Sequence, residues 1–299
     1  MRIDPNMVPS MLATLEQSQQ TLNTALEQVS TGLSVNQPSD NPTAAASMVE
    51  NTIETGDVDA YTQNVTTSLA TVSQANSTLS SVVTALTSAQ SAGIEGANGT
   101  NTTANMQALA TQVQGILNNV IADANTSVGG VYLFGGTSTS TPYTADPSSP
   151  TGYTYNGNNE TNTVAVGDQT SVAVNLPGSQ VFSNSSNNVI GSLSSLVSAL
   201  QSGNSSAVET ATTAVGAAIN FIGQQQVFYS NADSQLSSQE TFLQQDTVTL
   251  TTQASNLIGV NQSAAATELS EAETDNSAAL AAIAKVMPNS LLNYLSTPT

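Results

Sequence analysis

The sequence predicts a mainly α fold: an elongated antiparallel helical bundle or coiled-coil rod formed by both chain ends, with a small β domain inserted between helices. Three observations predict it. Apolar residues recur every seven positions on both sides of the chain's middle. Aromatic residues collect in that middle. Each end carries a break in its helical pattern some 35–40 residues from its terminus.

The first helix is written in residues 8–33. Val8, Leu15, Leu22 and Val29 form one seven-residue series; Leu12, Gln19, Leu26 and Leu33 form a second. Together they alternate three and four apart, the spacing of a coiled-coil seam, with Gln19 as a polar member that weakens a seam and fixes its register. The stretch "STGLSVNQPSDNPTAAA", Ser30 to Ala46, then breaks the pattern. Pro38 and Pro42 push Gln37 and Asn41 toward extended backbone. Asn41 reads as a helix N-cap with Pro42 at the first helical position, and Asp40 adds negative charge at a helix N-terminus. Asn36, Pro38, Ser39, Asp40 and Pro42 thus make a stiff connector that starts the next helix sharply.

That second helix runs from about Thr43 to about Ala92. Val58, Val65, Val72, Leu79 and Leu86 carry it, with Tyr61, Ala75, Val82 and Ala89 on the same side. A third covers roughly 102–127 on Met106, Leu109, Val113, Ile116 and Val120. The character then changes. "VGGVYLFGGTSTSTPY" suits a strand and turn, and "TNTVAVGDQTSVAVNLPG" alternates Val with polar residues as a hairpin does. Residues 131–182 hold six of the twelve aromatics. After a short helix on Ile190, Leu193, Val197 and Leu200 comes the most regular signal of all. Val208, Val215, Ile222, Tyr229, Leu236, Leu243, Leu250 and Leu257 are eight positions seven apart. "IGVNQS" (258–263) is the second break, and a last helix is expected to run to Met287, before Pro288. The segments therefore read as terminal helical pieces at 1–41 and 259–299, a helical domain at 42–130 and 189–258, and the β domain at 131–188.

Composition excludes several functions. The 299 residues include 21 acidic and two basic ones, Arg2 and Lys285, with no His, Cys or Trp and a net charge of −19. Neutralising nucleic-acid phosphates or an anionic membrane takes clusters of Lys and Arg, which are missing. The N-terminus shows no apolar core of a cleaved signal peptide, and no stretch approaches the ~18 apolar residues of a membrane helix. A Ser or Thr nucleophile needs a base such as His or Lys, and no triad can be assembled here. Asp146, Glu160 and Asp168 in the β region read as solvated carboxylates, and no loop has an ordered Ca²⁺-ligand spacing. Neither metal nor cofactor is expected.

What remains is assembly. Leu12, Leu15, Leu22, Leu26 and Val29 on the first helix, and Leu291, Leu292, Tyr294 and Leu295 in the apolar tail, are the candidate subunit contacts. A heptad seam at a chain end needs a partner to bury it.

"VSTGLSVNQPSDNPTAAA" resembles the N-terminal signature of bacterial hook-associated proteins of the flagellin family. The start "MRI", the tail "SLLNYL", "GGVYLFGG" and "TELSEAETDNSAALAAIAKV" resemble that family too. The basic positions of the family pattern are Leu33, Ser34 and Gln37 here, and its second Asp is Asn41, so salt bridges made there in relatives have no counterpart. The resemblance implies a structural subunit without catalytic activity, exported unfolded with no cleaved signal to an extracellular flagellum. It implies a junction ring of identical subunits between hook and filament. The partners would be the chain itself, the neighbouring hook-associated protein, flagellin and an export chaperone. A flagellin and a secreted adhesin or binding module are the alternatives.

Overall fold

The computed structural model describes residues 7–295, and side chains from 9 to 285. Seven helices and six short strands follow one another: α1 Met7–Thr31, α2 Pro42–Gly96, α3 Thr103–Ala124, β1 Ser127–Val128, β2 Val131–Tyr132, β3 Tyr143–Ala145, β4 Tyr153–Tyr155, β5 Thr163–Gly167, β6 Thr170–Ala173, α4 Gly178–Val181, α5 Val189–Ser202, α6 Ser205–Ile258 and α7 Gln262–Leu295. The fold is mainly helical with small β pieces in the middle, as predicted. By compactness the chain divides into two units, Met1–Asp57 with Gln245–Thr299, and Val58–Gln244.

In the second unit the heptad rows are the core. Val65, Val72, Leu79, Val82 and Leu86 of α2 are fully buried, as are Val208, Val215, Ile222, Tyr229 and Leu236 of α6. α2 and α6 run antiparallel here. Gly93 lies against Thr212 and Gly216 against Gln90, while Gln226 Nε2 donates to Ser80 Oγ at 3.0 Å. α3 packs on α5. With almost no cations for side-chain ion pairs, these helices use their many hydroxyls locally. Thr62, Thr78, Thr84 and Thr212, among others, each donate to the carbonyl four residues earlier. That satisfies the hydroxyl without a partner helix.

The β region is three separate two-stranded antiparallel ladders, β1–β2, β3–β4 and β5–β6, where the sequence suggested one small domain from residue 131. The first hairpin begins earlier, at Ser127, because Gly129 and Gly130 take φ of 60° and 84°, the left-handed pair that a tight two-residue turn requires. An aromatic cluster holds the region to α6. Phe134 packs edge-on against Phe182 at 5.0 Å and Tyr229 at 6.5 Å, and the Tyr229 hydroxyl accepts from Leu176 N–H at 3.1 Å. Burial pushes the Tyr229 phenol well above its ordinary range, and the Leu176 amide offsets part of this. Asn64 Nδ2 and Gln239 Nε2 donate to the carbonyls of Ala165 and Val166, tying β5 to both long helices.

A helix boundary differs from expectation too. The last helix does not stop at Met287 but continues through Pro288 to Leu295. A proline removes one backbone donor from the ladder without fixing where the helix ends, and the leucines that follow favour helix.

Candidate assembly interface

In the first unit, α1 pairs with α7, so the first and last helices lie together. Met11, Leu15, Ser18, Leu22, Ala25 and Val29 are covered on α1, with Gln28 half-covered beside them. On α7 they are Ala265, Leu269, Ala272, Asn276, Ala279 and Ile283. Both rows step four and three apart, the antiparallel match of two seven-residue repeats. Ala25, Ala265 and Ala272 are the best buried, and their small side chains let the two backbones approach. Ser18 Oγ and Asn276 Nδ2 are buried in this seam without a hydrogen-bond partner in the chain. Polar members of this kind weaken a seam while specifying its register.

This changes the reading of the candidate contacts. Leu15, Leu22 and Val29 do face the seam, half-buried. The second series does not: Leu12 is 51% and Leu26 55% exposed, and the row that packs in its place is Met11, Ser18 and Ala25, one residue earlier. Leu12 and Leu26 therefore form an apolar edge outside the intramolecular seam. Leu291, Leu292, Tyr294 and Leu295 close the backbone of α7, and their side chains lie outside the described residues.

The two breaks meet. Gly32, with φ of 74°, ends α1 in the left-handed conformation, its N–H bonded to Gln28 O at 2.9 Å. The chain then pairs Leu33 with Gly259 in an antiparallel bridge. Ser34 N–H donates to Ile258 O at 2.6 Å, and Val260 N–H to Gly32 O at 3.0 Å. Ser34 Oγ donates to the same Ile258 carbonyl at 3.0 Å. Ser34 stands where relatives are expected to carry a basic residue, so here a short hydroxyl and the backbone make the link.

The connector is a turn where the sequence suggested extended backbone. Gln37 to Asp40 form a turn closed by Asp40 N–H to Gln37 O at 3.0 Å, with Pro38 at the position its fixed φ favours. The Asp40 carboxylate accepts from the N–H groups of Asn36 and Gln37 at 3.0 and 2.8 Å, and Asn36 Nδ2 donates to Leu33 O. Asn41 Oδ1 accepts from Ala44 N–H at 3.1 Å and caps α2 ahead of Pro42, while Asn261 caps α7 in the same way. Ser39 is exposed at the turn. Asn41→Ala is expected to cost about 1 kcal/mol of stability by thermal unfolding. Asp40→Ala is expected to speed amide hydrogen exchange at Asn36 and Gln37, read by mass spectrometry, and unchanged exchange there would contradict the turn's dependence on the carboxylate.

Along the outside of the α1–α7 pair runs an open cleft lined by Gln17, Gln20 and Gln28 on one side and Glu268, Glu271 and Asp275 on the other. Beside the connector, Val35, Pro38, Met48, Val49, Ile53 and Ile258 line a second, apolar groove, in which Val49 and Ile53 are each 61% exposed. Sequence reasoning missed this groove, because Val49 and Ile53 fall off the heptad row of α2. In the β region, Asp146 accepts from Ser148 and from Thr154 Oγ1, hydrogen bonds that lower its pKa, and Glu160 accepts from Thr137 Oγ1. No group of three His, Cys, Asp or Glu placed to hold a metal ion occurs among the described residues. No helix among them is long and apolar enough to cross a membrane.

Comparison with known proteins bears on this arrangement. Residues 5–139 match the family described as the bacterial flagellin N-terminal helical region. The chain is 32% identical over 166 residues to flagellar hook-associated protein 3 of Escherichia coli (strain K12), covering 55% of this chain and 51% of that one. It is 32% identical over 165 residues to flagellar hook-associated protein 3 of Salmonella typhimurium (strain LT2), with the same coverages of 55% and 51%. It thus spans about half the length of these relatives. Among solved structures, a putative flagellar hook-associated protein from Vibrio parahaemolyticus superimposes with a TM-score of 0.67 at 17% identity, over 74% of this chain and all (100%) of that one. FlgL of Bacillus cereus does so with 0.59 at 21% identity, over 69% of this chain and 99% of that one. At such identities these structures speak for the fold. Residues 5–139 are therefore similar to the N-terminal helical region of bacterial flagellins, and over about half its length the chain resembles flagellar hook-associated protein 3.

Proposed function

We propose that the chain is a structural, non-catalytic subunit of the bacterial flagellum, forming the junction ring between hook and filament on which flagellin assembles. The observation that carries the reading is the 32% identity to hook-associated protein 3 in two species. The terminal architecture supports it. The terminal segments, 1–41 and 259–299, supply the subunit contacts: the exposed edge of Leu12 and Leu26 meets a second copy, and the tail of Leu291, Leu292, Tyr294 and Leu295 is buried between subunits. Partners are further copies, the neighbouring hook-associated protein, flagellin and a chaperone that holds the chain before export. Its place is extracellular, in the flagellum.

A strain lacking the gene tests this. Electron microscopy is expected to show bare hooks, with abundant soluble flagellin in the medium, because export proceeds but the filament has nothing to start on. Bare hooks with little flagellin in the medium would identify the chain as the filament subunit itself. Normal flagella would overturn both readings and favour a binding module.

A further inference from the structure

The 58–244 unit has no base: no Lys, Arg or His occurs in it. It has nine carboxylates, Asp59 and Glu95 on α2, Asp123 on α3, Asp146, Glu160 and Asp168 in the β region, and Glu209, Asp233 and Glu240 on α6. No side-chain ion pair can form inside it. Its elements are joined by apolar burial and by hydrogen bonds from groups that do not titrate in acid. Gln226 bonds to Ser80 between α2 and α6, and Asn64 and Gln239 fasten β5. Asn125 pairs through both its amide atoms with the backbone of Tyr143, whose hydroxyl donates to Gly178 O at 2.8 Å. Burial holds the Tyr143, Tyr155 and Tyr229 phenols above their ordinary range, so all three are neutral in acid.

Acid unfolds most domains for two reasons. Ion-paired carboxylates must be protonated and buried neutral imidazoles must charge. The bases, left without counter-charge, then repel one another. A domain of ordinary composition, about a quarter charged, becomes strongly positive. This unit goes from nine negative charges to none, because it has no base to be left over. Three of its carboxylates do accept hydrogen bonds, and no cation of the unit faces any of them. Bonds from Ser148 and Thr154 lower the Asp146 pKa, so that contribution is present above the unfolded value and lost as pH falls through the folded one. Glu160 accepts from Thr137 Oγ1 at 2.8 Å. Asp123 acts in the opposite sense: partial burial raises its pKa against a bond with Ser81 of α2, so the fold gains as it takes up a proton.

We propose that the missing bases are an acid-endurance device: the 58–244 unit keeps its native fold in a medium acidic enough to unfold a domain of ordinary composition, and the chain is fitted to such surroundings. An extracellular subunit meets its medium directly, without the buffering of a cell interior; the device itself does not depend on what the chain assembles with.

Thermal unfolding of the full chain in dilute solution at about pH 2.5 and about pH 7, followed by near-ultraviolet circular dichroism, tests this. Six of the seven tyrosines and all five phenylalanines lie in 58–244, so the signal reports this unit. The midpoint is expected to be at most about 8 °C lower at the acid pH, the effect of two lost hydrogen bonds on a unit of this length. A larger drop, or loss of the native tyrosine signal at about pH 2.5 before any heating, overturns the proposal. The double variant Asp146→Asn, Glu160→Gln replaces in advance the two carboxylates whose bonds acid weakens. Where the unaltered chain loses any stability in acid, this variant is expected to lose less. An equal loss means that acid breaks some other contact, and overturns the proposal as well.

Discussion

Replacing Leu22 and Leu26 together by Asp is expected, on the proposed assembly role, to abolish incorporation into flagella while the 58–244 unit stays folded. The two positions fail for different reasons. Leu22 is half-buried against α7, so a carboxylate there is desolvated in the seam. Losing the leucine's partial burial alone costs about 1 kcal/mol, in a helix pair whose best buried members are alanines. Leu26 is more than half exposed, so within one chain Asp is tolerated there. Only a neighbouring subunit makes it costly. Incorporation is read by immunoblot of purified hook–basal bodies, and folding of the 58–244 unit by its cooperative thermal transition. The single variant Leu26→Asp separates the cases: normal incorporation of that variant removes Leu26 from the proposed subunit contact.

Tyr229→Ala destabilises the 58–244 unit by about 3–5 kcal/mol, whereas Tyr229→Phe costs about 1–3 kcal/mol. The ring is fully buried where α6 meets the β region, edge-on to Phe134. Truncating it opens a cavity that the surrounding helix and loop cannot both collapse into. Phe keeps the ring and strands one buried donor, the Leu176 N–H. Urea unfolding followed by circular dichroism measures both. A loss under about 1 kcal/mol for the alanine variant would mean that the β region is held to α6 by something other than this ring.

How far the sequence reaches is clearest where two helices are compared. On α6, seven of the eight heptad positions are buried and Leu257 is half-covered. Such a row repeats the same local pattern often enough that one face must be the core. On α1 the same method chose Leu12 and Leu26, the larger side chains, over Ala25 and Ser18, which are the ones covered. Periodicity and size disagree by one residue there. The deciding partner, the Ala265–Ala272 face of α7, is more than two hundred residues away in sequence and favours small side chains. The connector divides in the same way. The Asn41 cap is local and legible. The turn at Pro38, and Asp40 closing it by accepting from the Asn36 and Gln37 N–H groups, take the place of the extended connector and the helix-start charge that the sequence suggested. The Ser34–Ile258 link joins residues 224 apart and has no local signature.

The sequence by itself therefore determined the long helices, the two breaks, the aromatic middle and the absence of the side chains that catalysis by a His-based triad or a thiolate metal site would need. Each is a property of composition or of residues within one or two turns of each other. The tertiary structure alone decided that the two breaks pair with each other, and which face of α1 is seam and which is edge. These depend on which distant backbone a face meets, and long-range pairing is set by the fit of two surfaces, not by the pattern on one.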